Sequence, residues 1–143
     1  MVVLGGFDDT SYLNSAEVYS FSTNTWSSLT SFRVARQFFG AAVVKNFIFI
    51  AGGRSTNDVL LQSVESFNGK IWRNVNGVLP SGPRLDHVCV SFRNKLYVIG
   101  GYDFEYANQL VVDVYDPSTK KWTNQAVPAL TTPRFLASAV VLH

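Results

Sequence analysis

The sequence is poor in the residues from which most active centres are built. Its 143 residues include one cysteine, Cys89, and two histidines, His87 and His143. A lone cysteine rules out an internal disulfide framework and agrees with a reducing compartment. His87 opens an apolar run, Cys89 follows two positions later, and His143 ends the chain, so the ligand number and spacing of a metal site are missing. His87 and Cys89 read as packed residues. Charge is also scarce: 15% of residues, a net +2 and no run of Lys and Arg, which argues against a nucleic-acid partner. No basic stretch followed by a long apolar one opens the chain, so no signal peptide is expected. The most apolar segment, residues 38–51, is broken by Lys45-Asn46, which reads as a turn and not as a membrane span. Gly-x-Ser-x-Gly, P-loop and dinucleotide fingerprints are missing, and no window carries a helical apolar period. With 47% hydrophobic residues, the expectation is a packed, soluble, cytoplasmic protein without a cofactor.

Against these absences stands a repeat. Paired glycines occur at Gly5-Gly6, Gly52-Gly53 and Gly100-Gly101, spaced by 47 and 48 residues. After each pair comes an acidic residue two positions before an aromatic: Glu17 and Tyr19, Glu65 and Phe67, Asp113 and Tyr115. Trp26, Trp72 and Trp122 follow, and then Arg36, Arg84 and Arg134. Arg36 to Gly52 and Arg84 to Gly100 are both 16 residues. Four features recurring in one order mark an internal repeat.

Each unit reads as strands. GAAVV (40–44) and FIFI (47–50) flank Lys45-Asn46, and HVCVSF (87–92) and LYVIGG (96–101) flank residues 93–95 in the same way. These are β-hairpins with asparagine in or beside the turn. A third strand carries the acidic-x-aromatic triplet, and a fourth starts near the tryptophan. The first two strands are almost continuously apolar, as expected of strands buried on both faces, and the fourth is mostly polar. Hydrophobicity falling from first strand to fourth is the gradient of a propeller blade with its inner strands near the axis.

This ordered set resembles the kelch repeat, in three copies over essentially the whole chain. The departures are small: Phe67 replaces tyrosine in the second copy, whose aromatic-to-tryptophan interval is two residues shorter. The resemblance implies an all-β kelch β-propeller, one domain with units near 1–35, 36–83 and 84–133 and a final first-type strand in 134–143. Twelve strands are expected, three blades' worth of four-stranded antiparallel sheets. Propellers close with about 4 to 8 blades, so the arc implies either missing blades from a longer chain or a homodimer completing a six-bladed ring. Glycine is expected at the strand ends because the neighbouring chain comes close and the exit is sharp. The aromatic and the tryptophan are expected to pack between blades.

The resemblance also implies a protein or peptide ligand held at one mouth of the ring. The positions it singles out are Arg36, Arg84 and Arg134 between blades, and Arg54, Tyr102, Tyr106 and Asn108 in the loops after the glycine pairs (7–14, 54–62, 102–109). The alternative for the repeated arginines is that each bonds backbone carbonyls and fixes neighbouring blades together. Rigid display of variable loops around a basic mouth is the implied mechanism. A substrate receptor of a cullin-type ubiquitin ligase and an actin-binding protein are the implied roles; the first needs an adaptor domain outside these residues. The alternative class is a dimeric propeller enzyme acting on a small sugar or acid, with Glu105 as its first candidate.

Overall fold

The computed structural model describes residues 1–105, 110–124 and 127–142. Among them lie eleven strands and a short 3-10 turn at Thr56–Asp58. Three antiparallel meanders follow one another. The first is β1 (Val2–Phe7), β2 (Tyr12–Ser20) and β3 (Thr25–Leu29). The second is β4 (Gly40–Val44), β5 (Phe47–Ala51), β6 (Val64–Phe67) and β7 (Trp72–Asn74). The third is β8 (Val88–Phe92), β9 (Lys95–Ile99), β10 (Val112–Asp116) and β11 (Lys121–Asn124). The all-β partial propeller is as expected. At the β8–β9 turn, Arg93 and Asn94 both have positive φ, the backbone a two-residue hairpin loop of matching twist demands.

The core lies between sheets, not within one. Between the first and second, Phe32, Ile50, Phe67 and Trp72 pack with Leu4, Leu29, Phe39 and Ile48 around them. Trp72 stacks on Phe67 at 5.1 Å, meets Phe32 edge-on at 5.5 Å and donates its Nε1–H to the Thr30 carbonyl at 2.7 Å. Between the second and third, Phe49, Val75, Leu79, Leu96, Val98 and Tyr115 fill the joint, with Trp122 against it. The aromatics of the second and third repeats therefore close the blade joints, whereas Tyr19 and Trp26 of the first pack on each other and Trp26 is 45% exposed.

Two expectations fail. Residues 135–142 form no strand, and the first sheet, which begins at a second-type strand, has three strands with an open β1 edge. A strand needs a neighbouring strand for its backbone groups, and among the described residues no strand pairs with this segment; Leu142 is 89% exposed. Nor are the innermost strands the most buried. Ala41 and Val43 of β4 are exposed and β8 is half-buried throughout, whereas Val112 to Tyr115 of β10 are all buried. A middle strand has sheet on both sides in any arc, but an inner strand is covered only when blades meet around the hub.

The paired glycines are explained by close approach. A Cβ on Gly52 would sit 2.8 Å from the Arg84 carbonyl oxygen, and one on Gly53 2.6 Å from that of Gln37. Both also have positive φ, 60° and 90°. The geometry repeats: the N–H of Gly6 donates to the Arg36 carbonyl, Gly53 to Arg84 and Gly101 to Arg134, at 3.0, 2.8 and 2.8 Å. Each strand end is thus tied to the segment leading into the next blade.

Candidate protein-binding rim

Arg36 and Arg84 are both 0% exposed. Arg36 donates to the carbonyls of Gly52 and Ser63 at 3.0 and 3.1 Å, and pairs with Glu65 Oε1 at 2.8 Å. Arg84 repeats this with the carbonyls of Gly100 and Val111 at 3.2 and 3.4 Å and with Asp113 Oδ2 at 3.0 Å. The sequence separations are 16, 27 and 29 in both sets. Burial lowers both guanidinium pKa values, and the paired carboxylate opposes the shift. The acids have further duties: Glu65 accepts the N–H groups of Arg33 and Val34, and Asp113 accepts from Ser81 N–H and Oγ. These two arginines sit inside the joints with their donors turned inward, which places them as blade fasteners and not at a ligand surface. Arg134 is exposed.

The loops at the glycine-pair end are tighter than their length implies. Asp8 Oδ1 accepts from Thr10 N–H, Thr10 Oγ1 and Ser11 N–H at 3.1, 2.8 and 2.8 Å, closing the first loop and holding the carboxyl below its usual range. In the second, Arg54 pairs with Asp58 at 3.3 Å and lies over the Phe38 ring at 5.3 Å. In the third, Tyr102 bridges to Leu85 through its backbone and meets the Phe135 ring at 5.2 Å. Phe104 beside it is 56% exposed. Tyr106 and Asn108 lie outside the described residues.

Arg54 and Tyr102 converge on a residue the sequence did not single out. Burial raises the Asp86 pKa, while a hydrogen bond with Tyr102 and the charge of Arg54 pull it down. Asp86 stands two positions after Arg84, as Phe38 does after Arg36 and Leu136 after Arg134. All three have positive φ, 57° at Phe38, 54° at Asp86 and 50° at Leu136. They are linked in series, Asp86 N–H to the Phe38 carbonyl and Leu136 N–H to the Asp86 carbonyl, both at 3.0 Å. A cleft of about 240 Å3 opens between Phe38, Phe39, Asp86, His87, Leu136 and Ala137. Left-handed backbone at bulky residues is strained and collects where a surface serves binding. The available signal was the shared offset from the arginine. The expected basic mouth is instead mixed, because its two central arginines are buried.

His87 and Cys89 pack as expected. His87 Nε2 lies 3.2 Å from Gly40 N and 3.0 Å from the Ala51 carbonyl, and burial with the nearby Arg84 charge pushes its pKa down to about 3. Burial pushes the Cys89 thiol up to about 12. Among the described residues, no group of three or more His, Cys, Asp and Glu side chains is placed to hold a metal ion, and no helix is long and apolar enough to cross a membrane.

Comparison with known proteins agrees with this architecture. The family model described as "KLHDC2/KLHL20/DRC7 Kelch-repeats domain" matches residues 1–143. "F-box/kelch-repeat protein At1g67480" of Arabidopsis thaliana is 32% identical over 117 residues, 78% of this chain and 31% of its own length. "Kelch repeat protein C2" of Vaccinia virus (strain Western Reserve) is 30% identical over 133 residues, 92% of this chain and 25% of its own. The chain therefore spans about a third or less of these relatives. With the glycine ties present in all three repeats, and the joint aromatics and buried arginine pairs present at both inner joints, the chain belongs to the kelch-repeat family.

Proposed function

We propose that the chain is a non-catalytic protein-binding module that holds a partner protein or peptide at the glycine-pair end of the arc. The observation that carries this reading is the series Phe38, Asp86 and Leu136. Three side chains of different chemistry stand on one repeated, strained backbone, flanked by loops of unequal sequence. Interfaces use aromatic and arginine anchors in such settings, and Arg54, Tyr102 and Phe104 supply them. The F-box names of plant relatives support the finer role of substrate receptor for a cullin-type ubiquitin ligase, its adaptor contributed from outside these residues; actin is the other partner in the same class. The test is capture of one partner protein from extract by the wild-type chain and its loss on Arg54→Ala combined with Phe104→Ala, with the melting curve unchanged. Equal capture by the double variant refutes the rim. Co-recovery of a cullin scaffold favours the ligase role. The enzyme reading stands second; Glu105 is exposed and does not line the cleft beside Asp86, and turnover of a small sugar or acid that Glu105→Gln abolishes would favour it.

The open ends of the arc bear on its partners. Arg134 and Glu17 are both exposed, and each is one half of the pair buried at the inner joints. A groove of about 470 Å3 lined by Met1, Val2, Leu4, Ala41, Ala42, Val43 and Ile48 runs beside the open β1 edge. Ring completion covers this edge, either by further blades of a longer chain or by a second copy. Light scattering that gives twice the chain mass selects the homodimer; the mass of one chain with a cooperative melt excludes it.

A further inference from the structure

At the end of the blades opposite the glycine pairs, a cleft of about 370 Å3 opens between the second and third sheets. Its walls follow from strand register. Phe49 pairs with Ser66 and Ser66 with Arg73, so these three share one face, with Phe47 two positions along β5. The third sheet supplies Tyr115 and, from the turn after it, Pro117 and Lys120. The floor is aromatic: ring centroids lie 6.4 Å apart for Phe47 and Phe49 and 5.8 Å apart for Phe49 and Tyr115. Phe47 is 40% exposed there.

The rim is positive. Arg73 and Lys120 are exposed, neither has a hydrogen-bond or ion-pair partner among the described residues, and no acid lines the cleft. Asp116, the acid in the adjoining turn, is engaged: Oδ2 lies 3.2 Å from Lys95 Nζ, and Oδ1 accepts the Ser118 N–H at 2.8 Å. Lys45 Nζ donates to Ser118 Oγ at 3.1 Å, which ties the two turns together beside the cleft and adds a third cation.

We propose that this cleft binds an acidic protein segment, seating one large apolar side chain on Phe47, Phe49 and Tyr115 and its flanking carboxylates between Arg73 and Lys120. The volume is at the small end for a ligand site and suits one such side chain. Two unpaired cations facing a rim without acids give the charge complementarity that selects carboxylates, which the Arg73 fork takes through two hydrogen bonds. The patch is too small and the net charge too low for a phosphate backbone. The site is separate from the glycine-pair rim and does not rest on it.

The probe is a fluorescein-labelled peptide with two glutamates on each side of one tryptophan, titrated into the whole chain and followed by anisotropy. Binding is expected to weaken about tenfold or more when Arg73→Glu and Lys120→Glu are combined, and when Ser66→Phe fills the cleft without changing charge. Arg54→Ala, at the opposite end, leaves it unchanged. A peptide with lysine for glutamate, or alanine for tryptophan, binds at least tenfold more weakly. No binding at millimolar peptide, unchanged affinity in the cleft variants, or tighter binding of a single-stranded DNA oligonucleotide overturns the proposal. Loss in Ser66→Phe counts only with a wild-type melting curve; if that variant misfolds, the two exposed charge reversals decide.

Discussion

Replacing Glu65 by alanine tests the blade joint directly. The substitution leaves the Arg36 guanidinium, 0% exposed, without its anion, and leaves the N–H groups of Arg33 and Val34 without their acceptors. Removing one partner of a buried pair costs about 3–5 kcal/mol, and each orphaned N–H adds about 1 kcal/mol or more. The sum is on the order of 5 kcal/mol, a large part of the roughly 5–15 kcal/mol that holds a domain together. Glu65→Gln keeps an acceptor for the backbone and loses only the charge, so it falls between. Glu17, the corresponding acid of the first blade, is exposed and serves as the internal control. Urea titration followed by tryptophan fluorescence should show a large drop in midpoint for Glu65→Ala, a smaller one for Glu65→Gln and none for Glu17→Ala. Equal midpoints for Glu65→Ala and Glu17→Ala would refute the fastening role.

Acid should weaken the fold through His87. Its folded pKa is about 3 against 6.5 unfolded, so between those values the unfolded chain binds a proton that the folded chain refuses. Stability rises with pH across that window by about 1.4 kcal/mol per unit, and above it this group contributes no slope. His87→Phe, which copies Phe39 of the preceding blade, should flatten the stability slope between pH 5 and 6.5; an unchanged slope in urea titrations removes His87 as its source. Gly52→Ala and Gly69→Ala share positive-φ strain, but only the first meets backbone, the Arg84 carbonyl oxygen at 2.8 Å, while nothing lies within 4 Å of a Cβ on Gly69. Gly52→Ala should therefore lose about 1–3 kcal/mol more in thermal melts, and equal losses would show that close approach is not what demands glycine there.

The strands were legible because period-two patterning and asparagine-bearing turns are local signals. Both central hairpins fall within a residue or two of their expected limits. The final apolar run, 135–142, has the same local pattern and forms no strand, since pairing depends on a neighbour that local sequence does not supply. The arginines illustrate the opposite case. Their recurrence was evident, but a residue facing a ligand and a residue fastening blades leave the same mark in one sequence. The distinguishing signal was the acid 29 residues on, Glu65 after Arg36 and Asp113 after Arg84, already noted as part of the triplet but not joined to the arginine. The series Phe38, Asp86 and Leu136 was hidden because its common property is a backbone angle, and its side chains share nothing.

Each inner arginine holds the blade behind it through its carbonyl and the blade ahead through its guanidinium, and on the guanidinium side the separations are equal both times. Both inner units thus carry their own clasp. Copying one stretch of about 48 residues delivers a new blade already furnished with both halves of its junction, so an array of this kind lengthens by duplication without a compensating change elsewhere.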